Sequence, residues 1–212
     1  MILSIKNTFV FDLDDTLYPE IDFETSGIKF VYNKLGVSSI NLEKLLSNRN
    51  NWVQIILDEL GCSISKDQLL LLYRNHTPDI ILYEDAKRLL MKLYNVTDLY
   101  LITDGRSTTQ RAKLRSLGIE YMFQKIIISE EINSEKPAKK NFLSVMDYKS
   151  KGQYVYIADN VKKDFVTPKQ LGWKTICLLD RGCNIHKQSF DFPENFLPHN
   201  TINSFDQIVL SE

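Results

Sequence analysis

Asp12 and Asp14 stand two residues apart, directly after the apolar run Phe9-Val10-Phe11, and Thr16 follows two further on. In an extended chain, side chains two apart share a face, so the two carboxylates are held together. Like charges held that close are costly without a cation or a shared proton. Three more polar groups close other apolar runs or open the segments after them: Thr103-Asp104-Gly105, Lys136 before Pro137, and Asp159-Asn160 with Asp164 four residues on. Carboxylates brought to one point suit Mg²⁺, a hard cation that takes oxygen ligands. A hydroxyl and a lysine beside such an ion suit a phosphate, which needs donors and positive charge. In that chemistry Asp12 would be the nucleophile, a carboxylate able to form an acyl phosphate. Asp14 would protonate the leaving oxygen and then act as base for water.

Elements that hold these groups can be read from the pattern. Phe9-Val10-Phe11 is apolar without alternation, as in a strand buried on both faces. Leu99–Ile102, Ile126–Ile128, Tyr154–Ile157 and Thr175–Leu179 repeat the pattern, and helical stripes separate them. Ala86, Leu89, Leu90 and Leu93 form one stripe, and Ala112, Leu114 and Leu117 another, stopped by Gly118. Lys136-Pro137 is expected to open a helix bearing Phe142, Leu143 and Met146. Strands alternating with helices predict an α/β fold with a parallel, Rossmann-like sheet. All strands then point one way, and the polar groups converge on one edge. Between Pro19 and Pro78 only helical stripes occur, closed at Gly36, Gly61 and Thr77-Pro78. Hence residues 1–18 and 84–212 are expected to form the core, and 19–83 a small all-helical cap. Past Arg181 only a short strand near Thr201 and a helix near Phe205 are expected.

The 212 residues are 43% hydrophobic and 25% charged, with a net charge of −1. That is ample for a core and gives no electrostatic case for nucleic acid or a membrane surface. Cys62, Cys177 and Cys183 match no metal spacing, and free thiols in a reducing cytoplasm are expected. No run is long enough to cross a bilayer. His76, His186 and His199 read as loop residues, and Arg106, Lys162 and Lys163 as solvated charges. Tyr18 and Glu20, just past the first acids, are placed to touch a leaving group.

The ordered set Asp12-Leu13-Asp14-Asp15-Thr16, Thr103-Asp104-Gly105, Lys136-Pro137 and Asp159-Asn160 through Asp164 resembles the haloacid dehalogenase superfamily. The likeness spans about Thr8 to Leu179, and four motifs in order are far more specific than any one. Ala158 departs from the glycine common before the first acid of the last motif. The aspartate-proline that often follows Lys136-Pro137 is also missing. The resemblance implies Mg²⁺ held by the Asp12 carboxylate, the Asp14 backbone carbonyl and Asp159. Thr103, with the Asp104-Gly105 turn, and Lys136 would hold the phosphate. Asp164 and Asn160 would stand behind, acting on a metal-bound water or on Lys136, although Asp164 could equally cap a helix. The implied activity is hydrolysis of a small phosphorylated metabolite, a sugar phosphate or nucleotide. A phosphomutase uses the same residues, a dehalogenase would not need Asp14, and a non-catalytic binding module would be expected to have lost one of them.

Overall fold

Thr8–Phe11 is a strand with every residue buried, and the rest of the molecule is laid out on either side of it. In the computed structural model, which describes residues 1–146 and 152–212, the strands are β1 (Ile2–Ser4), β2 (Thr8–Phe11), β3 (Leu99–Thr103), β4 (Lys125–Ile128), β5 (Tyr154–Ala158), β6 (Lys174–Leu178), β7 (Asn200–Ile202) and β8 (Val209–Ser211). Among the described residues β2 to β7 form one parallel sheet in the order β4-β3-β2-β5-β6-β7. The chain steps outward from β2 to β3 and β4, then crosses back to β5 and runs out the other way. Direction therefore reverses beside β2, and a crevice opens between the carboxyl ends of β2 and β5. Asp12 follows the first of these strands and Asp159 the second.

Alternate residues feed opposite faces. Phe9, Phe11, Leu99, Leu101, Val155 and Ile157 share a core with Leu89, Leu90 and Leu93 of α5 (Glu84–Leu93). Val10, Tyr100, Ile102, Tyr156 and Ala158 share the other with Phe142 and Val145 of α8 (Lys139–Met146), and with Trp173. That is the strand period of two with both faces covered, which is why these runs are uninterruptedly apolar.

The stretch expected to hold no strand is helical: α1 (Glu20–Leu35), α2 (Leu42–Ser47), α3 (Trp52–Leu60) and α4 (Lys66–Arg74). Gly36 ends α1 at φ +65°, a left-handed conformation that a side chain would strain. Ile28, Val31, Leu45, Trp52, Ile56 and Leu69 form a buried cluster of this segment's own, while Phe23 joins the core of the sheet. Remaining helices are α6 (Ser107–Ser116), α7 (Ser129–Ile132) and α9 (Val166–Gln170).

One expectation needs correction, and two features were not foreseen. The helix after Lys136 starts only at Lys139. Lys136, ahead of a proline, is pushed away from helical backbone. The chain first closes a turn through Ala138 N to Glu135 O, while the Lys136 amide donates to the Asp104 carboxylate at 3.0 Å. Ile2–Ser4 is a strand, paired in parallel with Val209–Ser211, and its partner's distance in sequence hid it. His76 is a buried residue, 2% exposed, with its ring nitrogens on Tyr73 O and Ser26 Oγ. Cys177 and Cys183 are free thiols, and the side chain of Cys62 lies outside the described residues. No described helix is long and apolar enough to cross a membrane.

Candidate active site

Asp12 leaves β2 with its amide still paired to Ile157 O of β5, which fixes where its carboxylate emerges. Lys136 Nζ, fully buried, lies 2.7 Å from Asp12 Oδ1 and 2.8 Å from Asp164 Oδ1. Tyr156 Oη donates to the same Asp164 oxygen, and the Asn160 amide donates to the other. So Lys136 bridges two buried carboxylates. Burial alone would push its pKa down, but Asp12 and Asp164 hold it well above its ordinary value, and it stays a cation. Asp12 goes the other way: burial outweighs Lys136, Asp164 adds to it, and the carboxyl is pushed up to about 7.

Asp159, after β5, faces Asp12 across the crevice. Thr16 Oγ1 and Asn184 Nδ2 reach its two oxygens at 3.4 and 3.0 Å. Burial, then Asp12 and Asp164, hold its pKa well above the usual carboxylate range. Side-chain oxygens of Asp12, Asp159 and Asp164 all lie within 4.8 Å of one another. An all-oxygen donor set that is short of positive charge fits a hard divalent cation. Asp164 already accepts from Lys136, Tyr156 and Asn160, so it stands behind Asp12 and Asp159. The Asp14 side chain is not part of this cluster.

Asp14 points instead toward α6. Its Oδ1 accepts from Lys113 Nζ at 2.7 Å and Tyr18 Oη at 2.5 Å, and its Oδ2 from Gln110 Nε2 at 2.8 Å. Gln110 Nε2 also reaches Thr103 Oγ1 at 2.5 Å. Burial would raise Asp14, but Lys113 and these hydrogen bonds outweigh it, and the carboxyl sits below its ordinary pKa. Tyr18 is fully buried and spent on Asp14, so it is not free for a leaving group as the sequence suggested. Gln110 and Lys113 were missed. They lie three apart on α6 and so share a face, but in a helix as polar as Ser107–Ser116 nothing in the sequence marks that face as buried.

Asp104 faces the lysines: Oδ1 accepts the Lys136 amide and Oδ2 accepts Lys163 Nζ at 2.9 Å. Lys163, expected in solvent, is thus half-buried in the site. Gly105 turns the chain at φ +138°, where a Cβ would press on Gln110 at 3.2 Å, and its amide donates to Ser129 Oγ. The stretch just after Arg181, for which the sequence offered no element, folds over the crevice. Ile185 N donates to Asp15 Oδ2, Asn184 reaches Asp159, and Gln188 Nε2 donates to the Asp159 carbonyl.

These groups enclose a cavity of about 110 Å³ lined by Asp12, Asp14, Glu20, Thr103 and Asp159, among others. Burial and the nearby Asp14 push the Glu20 carboxyl up to about 8. A larger space of about 630 Å³ shares Asp159, Asn160, Lys163 and His186 with it, and adds Lys162 and Lys187.

Fold and site together define a doubly wound α/β protein with an acid-rich centre at the switch point of its sheet. The chain belongs to the haloacid dehalogenase-like hydrolase family, whose profile matches residues 9–178. It is 28% identical over 223 residues to a glyceraldehyde 3-phosphate phosphatase of Methanocaldococcus jannaschii, covering 94% of each chain. A protein of the same description from Methanopyrus kandleri is 26% identical over 190 residues, covering 79% of this chain and 81% of its own. Among solved structures, the HAD hydrolase YfnB of Bacillus subtilis, bound to magnesium, superposes with a TM-score of 0.68 at 21% identity, covering 95% of this chain and 96% of that one.

Proposed function

We propose that this protein is a Mg²⁺-dependent phosphomonoester hydrolase for a small phosphorylated metabolite, working through a phosphoryl group carried on Asp12. The observation that carries the reading is the contrast between two carboxylates two residues apart. Asp12 is buried against Lys136, and Asp14 is turned aside into a cage of donors beside Thr103. Environments that differ so sharply suit different roles. The two phosphatase relatives support the substrate class.

Asp12, Asp159 and the Asp14 backbone carbonyl would hold the cation, which supplies charge neutralisation for the phosphoryl oxygens when bound. An Asp12 oxygen attacks phosphorus, and the bond from phosphorus to the leaving oxygen breaks. Lys136 and Thr103 bind phosphoryl oxygens during that transfer. Asp14 gives its proton to the leaving oxygen. Lys113 favours the ionised form of Asp14, but a phosphate dianion arriving beside it favours the protonated one. Once the leaving group departs, the Asp14 carboxylate takes a proton from water, which attacks phosphorus and frees Asp12 and inorganic phosphate. Asp164 and Asn160 brace Lys136.

Residues 19–83 are read as a cap over a core of 1–18 and 84–212, supported by the segment's own buried cluster. The free thiols Cys177 and Cys183 support a reducing, cytoplasmic setting. The test is release of inorganic phosphate from a panel of phosphorylated metabolites, glyceraldehyde 3-phosphate included. Turnover is expected with Mg²⁺ and not in excess chelator, and Ca²⁺ should inhibit because its larger, looser shell misplaces nucleophile and phosphate. Full activity in excess chelator would rule this site out.

A further inference from the structure

We infer that Gln110 is a positioning residue that sets the direction of the Thr103 hydroxyl, turning it into a donor aimed at a phosphate oxygen. The inference deepens the proposed function and rests on it for the identity of the ligand. Gln110 is 1% exposed, and one side-chain atom of it meets two partners, Asp14 Oδ2 at 2.8 Å and Thr103 Oγ1 at 2.5 Å. Asp14 is paired with the Lys113 ammonium at 2.7 Å, so its oxygens face Gln110 as acceptors. Chemistry therefore requires that the atom facing them be the amide nitrogen, not the amide oxygen. That nitrogen has two hydrogens; one goes to Asp14 and the other to Thr103.

Thr103 Oγ1 is thus an acceptor in this contact. A hydroxyl has a single hydrogen to give, and among the described residues Thr103 has no hydrogen-bond acceptor for it. Thr103 is 1% exposed and lines the 110 Å³ cavity that also holds Asp12. A buried donor without an acceptor is costly, and an entering phosphate oxygen supplies one. Gln110 is itself fixed. Lys113 and Tyr18 hold Asp14 from its other oxygen, and the missing side chain of Gly105 leaves the room that Gln110 fills. Gln110 touches no substrate atom; it acts through Thr103 and Asp14.

Binding of inorganic phosphate in the presence of Mg²⁺, followed by titration calorimetry, tests this without turnover. Gln110→Met keeps the bulk but lets the hydroxyl rotate, and loss of one directed hydrogen bond should weaken phosphate roughly 3- to 10-fold. Gln110→Glu offers an acceptor that captures the Thr103 hydrogen, and the loss should exceed that of Gln110→Met. In a Thr103→Val background there is no hydroxyl to direct, so Gln110→Met should change phosphate affinity less than about twofold; such non-additivity marks action through a shared partner. A structural role alone would weaken binding equally in both backgrounds, and that result overturns the inference. So does wild-type affinity in Gln110→Met, or a wild type that binds no phosphate. Melting curves identify any variant that fails to fold, and the Met and Glu variants stand in for one another. The parent reading is tested separately, by p-nitrophenyl phosphate turnover in the wild type and its loss in Asp12→Asn.

Discussion

Asp12→Asn should abolish turnover and, without metal, make the protein more stable. Burial carries the Asp12 carboxyl from 3.8 to about 7 in spite of Lys136. Each tenfold change in proton affinity is about 1.4 kcal/mol, so ionising this group in the folded state costs on the order of 4 kcal/mol by pH 8. The sign follows from which state holds the proton. Here the folded chain binds it more tightly, so this contribution is complete below about pH 3.8 and is lost as pH rises to about 7. Asparagine is a neutral match in size and escapes the cost. The gap in stability between variant and wild type should therefore widen by about 2–3 kcal/mol from pH 5 to pH 8, or ~4–12 °C in melting temperature for a chain of this length. Neutralising Asp12 also relieves Asp159, whose proton affinity it raises, which pushes in the same direction. Thermal melts of both proteins in excess chelator at the two pH values provide the measurement. Saturating Mg²⁺ should then stabilise the wild type more than the variant and narrow the gap. A gap that stays flat with pH, or a variant less stable than the wild type at pH 8, would refute the reasoning.

Asp14→Asn should release one burst of nitrophenol from p-nitrophenyl phosphate and then stall, since only the second step still needs its base, worth roughly 10²–10⁴-fold; equal loss on aryl and alkyl esters, with no adduct on Asp12 by mass spectrometry, would count against it. Replacing residues 19–83 with a short linker should leave a folded core that still cleaves p-nitrophenyl phosphate but discriminates poorly among metabolites, so unchanged selectivity across a panel would exclude the cap reading. Asp85 holds Arg181 through two hydrogen bonds at 3.0 and 2.7 Å and also accepts from Ser204 and Phe205. Asp85→Ala should cost about 2–4 kcal/mol in a urea titration, less than a fully buried pair because 23% of the Arg181 side chain stays exposed; a loss below 1 kcal/mol would show that the pair does not anchor the segment after Arg181.

What was legible in the sequence was whatever depends on local periodicity. β2, β3, β4, β5 and β6 could be read because strands buried on both faces are continuous apolar runs, and α1 because Gly36 can take the left-handed turn that ends it. β1 was not legible, since three residues with a charge nearby gain their partner only from β8, at the far end of the chain. The acids stood out because carboxylates rarely end apolar runs without a reason. Their partners did not. Gln110 and Lys113 look like ordinary surface residues of a polar helix, and only the fold turns that face of α6 onto Asp14. Lys163 looked solvated for the same reason until the return of the chain from β5 placed it on Asp104.

The switch point explains why two neighbouring carboxylates can behave so differently. Asp12 emerges where β2 meets β5, and the groups around it come from the β5 side: Asp159, Asp164 and, through Tyr156, Lys136. By Asp14 the chain has left the sheet and faces the β3 side, where α6 supplies Lys113 and Gln110. Burial raises Asp12 further than Lys136 lowers it, and Asp164 on the β5 side adds to the rise. The β3 side brings a lysine and two neutral donors to Asp14, and they lower it. Reversal of strand order at β2 thus places one carboxylate in each environment within two residues.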